Sequence, residues 1–323
     1  MQMTTVEKMP MVEPVKACPE VCPLCGWSGA RRFLQAPDRY HGRTDAYELV
    51  RCPVCSLVWL ANPPAPETMG DHYGDDYDNS VATAGDDPER WSGRVKVISD
   101  RKSGGALLDL GCSAGGFLRA IRKPSWKLYG IEMSQTVANR AEAASGATVF
   151  VGDILDAPFP ASSFDAITCF HVLEHVYQPL AVLRKIACWL KPGGILYLMV
   201  PNIDSAGARI FGAYWYALEL PRHLYHYSPR SLGVMADAVG LEQISVTTHR
   251  ELFVEDSVGY LLDGLLPRIG ISRLPKALRE PPGLPFRAIR KIFRLTAIPV
   301  LNGMAGLLGD GESIHGVFHR PAQ

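Results

Sequence analysis

The sequence predicts an α/β fold, a seven-stranded sheet flanked by helices behind a small cysteine-rich module. Three observations carry this. Short apolar strands alternate with helical patterns from Ala106 to Arg250, two Cys-x-x-Cys pairs stand ahead of them, and a β-rich run, Ser313–His319, stands alone near the end of the chain. Such alternation is the mark of parallel βαβ units. The isolated last strand makes residues 251–308 a helical insertion between strands six and seven.

The elements follow in order. Residues 1–17 have no apolar core and read as a flexible tail, not a secretory signal. Residues 18–62 are the cysteine module, and residues 63–104 a polar linker and helical connector, acidic around Tyr73 and Tyr77. The main domain is then 105–323, with strands at Ala106–Leu110, Lys127–Ile131, Ala147–Val151, Phe164–Phe170 and Gly194–Val200. Helices fall between them at Gly116–Arg122, Gln135–Ala144 and Leu180–Leu190. A further helix starts at Ser228 and stops at Gly240, which places strand six near Gln243–Arg250.

Composition narrows the function. Lys+Arg and Asp+Glu tie at 33 each, so the basic excess usual for a nucleic-acid partner is missing. Hydrophobic residues at 47% and charged residues at 20% fit a folded chain rather than a disordered one. No run reaches the roughly 18 apolar residues of a membrane span. Five cysteines cluster near the N-terminus, while Cys112, Cys169 and Cys188 lie singly in apolar surroundings. That usage suits metal thiolates and buried thiols in a reducing cytoplasm, not a disulfide framework.

The pairs Cys22/Cys25 and Cys52/Cys55, in CPLCG and CPVCS, can each turn two sulfurs toward one metal. Four thiolates complete the tetrahedron that structural zinc prefers and leave no open position for catalysis. The module therefore reads as a zinc ribbon, Zn(2+) being structural. The long spacer, residues 26–51, calls for an extended hairpin, and Cys18 is a spare ligand.

The stretch LLDLGCSAGGFL, Leu107–Leu118, runs from a strand through a glycine-rich turn into a helix. Strand two ends at Gly130-Ile131-Glu132, placing a carboxylate about 20 residues on, where it can accept both hydroxyls of a ribose. Strand three ends at Gly152-Asp153-Ile154, strand four leads into HVLEHV, and LKPGG, Leu190–Gly194, is a turn entering strand five. This order resembles the class I S-adenosylmethionine (SAM)-dependent methyltransferases over about residues 105–250, particularly the ubiquinone-type and other small-molecule O-methyltransferases, whose fold is Rossmann-like. The resemblance implies that Asp109 orients the methionine ammonium group and that the backbone from Gly111 through Ser113 to Gly115 lines its carboxylate end. It gives Glu132 the ribose, Asp153 the adenine and Phe170, with His171, the sulfonium end. Met133 and Ile154 complete the cofactor contacts.

Methyl transfer to a hydroxyl gains from a positioned base and a dry site. His171, Glu174 and His175 form H-x-x-E-H after strand four, and on a helix the two histidines would share a face. Ubiquinone-pathway relatives resemble this with E-x-x-E-H, associated there with a divalent metal; the first acid is His171 in this chain. The second group is PRHLYHYSP, Pro221–Pro229, where Arg222, His223 and His226 follow the aromatic Tyr214-Trp215-Tyr216. His223 is the preferred base. The [ND]-P-P-[YF] pattern of nucleobase amino methylation is missing, since strand four runs into CFHV.

Inside the insertion, Arg287, Arg290, Lys291 and Arg294 interleave with Phe286, Ile289, Ile292 and Phe293, giving a basic amphipathic segment. Segments of this kind lie on anionic membrane surfaces or cap a domain, so 285–309 is a candidate for peripheral membrane contact and 251–308 for a lid. The resulting expectation is SAM-dependent O-methylation of a small-molecule or lipid- or sugar-linked acceptor. The alternatives are an RNA methyltransferase that grips RNA with the ribbon, and a non-catalytic SAM-binding adaptor.

Overall fold

A computed structural model of the chain describes residues 21–73, 88–251, 253–265 and 311–322, with backbone alone at 88–90, 255, 263 and 265. The tail, Cys18 and the basic segment 285–309 lie outside the described residues.

The N-terminal strands are β1 (Arg31–Pro37), β2 (Ala46–Arg51) and β3 (Val58–Leu60). Helix α1 (Pro88–Ser99) precedes a βα series: β4 (Gly105–Leu110), α2 (Gly116–Ile121), β5 (Trp126–Glu132), α3 (Gln135–Ser145), β6 (Thr148–Val151), β7 (Phe164–Phe170), α4 (Pro179–Trp189) and β8 (Leu190–Pro201). Then come α5 (Ala206–Phe211), β9 (Tyr225–His226), α6 (Pro229–Asp237), β10 (Glu242–His249), α7 (Phe253–Leu265) and β11 (Ser313–His319).

The seven-stranded sheet has the order β10-β11-β8-β7-β4-β5-β6. Strands β6, β5, β4, β7 and β8 pair in parallel, and β11 inserts antiparallel between β8 and β10. Both faces are covered, so the strands are apolar at successive residues. Leu107 faces the layer of Ile98, Phe117 and Ile121, whereas Leu108 and Leu110 face the layer of Val182, Ile186 and Leu232. LKPGG is strand rather than turn: β8 begins at Leu190, and a register shift against β7 between Phe164 and Ala166 absorbs it.

Helix α6 starts as the sequence predicts, with Ser228 closing a capping box with Ser231, and the last strand occupies Ser313–His319. The connector is less of a linker than its polarity suggests. Ile98 of α1 is fully buried, and Trp91 lies 6.0 Å from the ring of Phe117.

The cysteine module has no core of its own among the described residues. Its hairpin β1–β2 fills the spacer between the cysteine pairs, but its sheet has the order β1-β2-β3-β9, so the fourth strand comes from Tyr225–His226 of the main domain. Cys22, Cys52, Cys55, Leu57 and Trp59 share one buried cluster with Leu108, Leu173 and Tyr227. Three strands of a small hairpin cannot cover their own apolar face, and the helical layer of the large sheet covers it instead.

Candidate active site

The glycine-rich turn lies at the carboxyl end of β4. Gly111 has φ of 63°, and a Cβ there would sit 2.5 Å from Val172 Cγ2, so this position tolerates no side chain. Ser113 also takes a left-handed φ, 52°. Gly115 is the left-handed N-cap of α2.

Glu132 closes the turn from the end of β5. Its Oε2 accepts the Ser113 N–H at 3.1 Å, and its Oε1 accepts those of Met133 at 2.9 Å and Ser134 at 3.1 Å. Both lone pairs of Oε1 are thus taken, and Oε2 keeps one for a hydroxyl donor. Asp153 caps a short 3-10 turn through Leu155 N–H at 2.7 Å with its side chain exposed, Ile154 is buried beside it, and Met133 is 68% exposed. Asp109 is buried and accepts the Thr168 hydroxyl at 2.6 Å. Burial pushes its carboxyl up to about 7, against the pull of Thr168 and Arg94. Phe170 stands edge-on to Phe117 at 5.1 Å and to Tyr197 at 5.0 Å, with Arg94 of α1 5.3 Å above its ring.

These groups fit SAM. A buried carboxylate suits an ammonium group, a turn opened by left-handed glycines at 111 and 115 suits close ligand approach, and a carboxylate with an open oxygen suits a ribose hydroxyl.

Beside them opens a cavity of about 1440 Å³ lined by His171, Glu174, His175, Glu219 and His223, and further out by Arg94, His249 and His315. The H-x-x-E-H stretch is not helical. It is a tight turn that His171 enters with φ of 55°, so His171 and His175 do not share a helix face. His171 donates from Nδ1 to Glu174 Oε1 at 3.3 Å instead. The turn brings Glu174 and His175 to His223, with one ligand atom from each lying within 4.8 Å of the others.

Hydrogen bonding assigns the ring protons. His223 donates from Nδ1 to the Ala217 carbonyl at 2.9 Å and from Nε2 to Glu219 at 2.7 Å. Burial disfavours its charge, yet Glu219 outweighs this and raises its pKa. An imidazole that donates from both nitrogens is an imidazolium with no lone pair for a proton. His175 differs. Its Nδ1 lies 3.2 Å from the Arg222 carbonyl, which can only accept, and 3.3 Å from the Tyr73 hydroxyl. Burial and the charge on His223 push His175 down to about 4, so the ring is neutral with an acceptor at Nε2. Burial works against the charge on Glu174, but the hydrogen bond from His171 and the neighbouring imidazoles together outweigh it and lower its pKa, so the carboxyl is ionised. Its Oε2 has no hydrogen-bond partner among the described residues.

Glu219, which sequence reasoning missed, pairs with both Arg222 and His223. Its signal was available as the i, i+4 spacing to His223. Tyr40 and Tyr73 were also missed: their rings lie 4.1 and 5.5 Å from the Arg222 guanidinium. Helix α7, the described start of the insertion, packs on the aromatic turn 212–218, with Tyr260 stacked on Tyr216 at 5.7 Å.

The four cysteines converge as the spacing predicts. All four Sγ atoms lie within 4.8 Å of one another, with Cys22–Cys55 and Cys25–Cys52 each at 3.5 Å. Sulfurs about 2.3 Å from a tetrahedral zinc would stand about 3.8 Å apart, so the donor set fits.

Residues 84–246, half of the chain, match the family described as a methyltransferase domain. The chain belongs to the SAM-dependent methyltransferases. This methyltransferase is similar to the ubiquinone biosynthesis O-methyltransferase of Xanthomonas axonopodis pv. citri (strain 306), at 32% identity over 163 residues, 46% of this chain and 68% of that protein. It is 33% identical to the one of Xanthomonas campestris pv. campestris (strain B100) over 132 residues, 38% of this chain and 55% of that protein. The match to the one of Pseudomonas entomophila (strain L48) is 29% over 195 residues, 53% of this chain and 84% of that protein. Against some of these relatives it thus spans little more than half their length. A SAM-dependent methyltransferase from Archaeoglobus fulgidus shares the fold at a TM-score of 0.51 and 15% identity, covering 76% of this chain and 100% of that one. No helix among the described residues is long and apolar enough to cross a membrane.

Proposed function

We propose that this methyltransferase moves the SAM methyl group to a hydroxyl oxygen of a small-molecule acceptor, with His175 and Glu174 as the proton-accepting groups. The observation that carries the reading is Glu174 Oε2, a buried carboxylate oxygen without a partner beside the cavity. An unpaired buried acceptor is costly, and a hydroxyl donor from a ligand would relieve the cost. His175 Nε2 supplies the neighbouring lone pair. The base role thus passes from His223 to His175; His223 and Glu219 form a fixed charged pair that holds the loop. The acceptor-oxygen lone pair attacks the methyl carbon, the carbon–sulfur bond breaks, and the hydroxyl proton passes to His175 or Glu174.

SAM would lie along the carboxyl ends of β4, β5 and β6. Asp109 would meet its ammonium group, the Gly111–Gly115 backbone its carboxylate, Glu132 the ribose and Asp153 with Ile154 the adenine. Met133 would cover the ribose from the solvent side, and Phe170 with His171 would border the sulfonium. Zinc at Cys22, Cys25, Cys52 and Cys55 would be structural. A divalent cation at Glu174, His175 and His223 does not fit the donor set, because His223 has both nitrogens committed to Ala217 and Glu219. The insertion, through α7, would wall the acceptor side.

Labelled SAM with hydroxylated small-molecule acceptors, read by product mass and position of the methyl group, tests this. Glu174→Gln is expected to lower kcat by about 10²–10⁴, the usual scale for a proton-transfer group, with SAM affinity unchanged. Methylation at nitrogen or carbon, or SAM binding without turnover of any acceptor, overturns it; the second outcome would return the adaptor reading.

A further inference from the structure

The acceptor loop is held from two sides. On one side the Glu174 carbonyl accepts the N–H of Leu224 at 2.8 Å and of Tyr225 at 3.3 Å. On the other, β9 pairs with β3 of the cysteine module, Val58 opposite His226 and Trp59 opposite Tyr225, and Leu60 N–H reaches the Leu224 carbonyl at 2.9 Å. His223 is the residue next to this doubly held segment.

Strand β3 in turn grows out of a cysteine knuckle. Cys52 N–H bonds to the Leu57 carbonyl at 2.9 Å and Ser56 N–H to the Cys52 carbonyl at 3.0 Å, so the strand begins one turn beyond Cys55. Ser56 takes φ of 66° in that knuckle, a left-handed conformation that a non-glycine residue adopts only when its surroundings hold it. The hydrogen bonds of Asp109 and Glu132 run elsewhere. Asp109 accepts the Thr168 hydroxyl of β7, and Glu132 accepts the backbone N–H groups of Ser113, Met133 and Ser134.

We infer that the four-cysteine centre is a brace for the acceptor loop: the bound metal fixes the Cys52–Cys55 knuckle, the knuckle fixes β3, and β3 fixes residues 223–227 against Glu174. The inference rests on zinc occupying the four cysteines and on the acceptor site lying at Glu174 and His175. The cysteines act here as positioning residues. Metal loss leaves the cofactor half of the molecule intact and loosens the acceptor half.

The test uses the full chain, wild type and Cys25→Ser, which changes the one exposed cysteine of the four. Zinc per chain is measured first, then SAM affinity by calorimetry and amide exchange by mass spectrometry before and after chelation and after zinc is returned. The expected result is about tenfold faster exchange in peptides covering 218–228, reversed by zinc. Peptides covering 107–118 stay unchanged, and SAM affinity stays within about threefold. With acceptor present, the acceptor KM rises before kcat falls.

Unchanged exchange at 218–228 in metal-free protein overturns the brace. So does loss of SAM binding together with the loop, which would make the centre a plain part of the global core. Protein purified without chelator that holds no zinc overturns the zinc assignment itself, a result separate from both. An acceptor reading that fails while the loop still loosens on chelation shows up as unchanged turnover in Glu174→Gln.

Discussion

Asp109 shows how a single residue ties binding to pH. Its folded pKa, about 7, stands well above the ordinary carboxyl value because burial outweighs the Thr168 hydrogen bond. A raised acid stabilises the fold fully below its unfolded pKa, and that contribution is lost as pH rises toward 7. Without SAM, the protein should therefore lose stability from this group between about pH 4 and 7. In the proposed binding mode the SAM ammonium would favour the ionised form, so SAM binding should expel a proton below pH 7. Calorimetry in buffers of different ionisation enthalpy should register that proton, and affinity should climb by up to about tenfold per pH unit until about pH 7 and then level. Asp109→Asn should flatten the profile. At the ribose end, Glu132→Ala should weaken SAM by about tenfold to a hundredfold, since charge-assisted hydrogen bonds contribute about 1.5–3 kcal/mol. Circular dichroism should be unaltered, and an unchanged affinity would remove Glu132 from the cofactor site.

Among the elements, the parallel strands and the turn after β4 were legible because each carries a local signal: apolar runs, Gly111 and Gly115, and Ser228 as a cap. The cysteine cluster was legible from spacing alone. The H-x-x-E-H stretch was misread as a helix face because spacing does not reveal that His171 takes a left-handed φ. Strand β9 was invisible, since two residues carry no period, and its partner β3 is far away in sequence. The charge on His223 was hidden for the same reason: only the fold shows that Ala217 and Glu219 occupy both of its nitrogens. Helix α7 offers a test at this scale. Ser257 Oγ accepts Tyr216 N–H at 2.9 Å and donates to the Phe253 carbonyl at 2.6 Å, pinning the aromatic turn to the insertion. Ser257→Val keeps the shape but strands the Tyr216 N–H, at a cost of about 1–3 kcal/mol. A lowered urea midpoint with raised acceptor KM and unchanged SAM affinity is expected, and a change in SAM affinity would argue against α7 walling the acceptor side.

For the molecule as a whole, the shared cluster of Leu57, Trp59, Leu108, Leu173 and Tyr227 makes the small sheet a tenant of the large one. Leu57→Ala, at a fully buried position just ahead of β3, should cost about 2–5 kcal/mol and lower the denaturation midpoint reported by the seven-stranded domain. A midpoint that does not move would mean that the two sheets unfold independently. The pairing of β3 with β9 also sets an order of events at the ribosome. Residues 58–59 emerge early, but their partner at 225–226 does not exist until most of the βα series has been made. Pairing across so long a loop is slow, and an unpaired edge invites association in the meantime. The part of the chain that is synthesised first is thus completed late, and nascent chains halted before residue 225 should expose a sticky strand that full-length chains conceal.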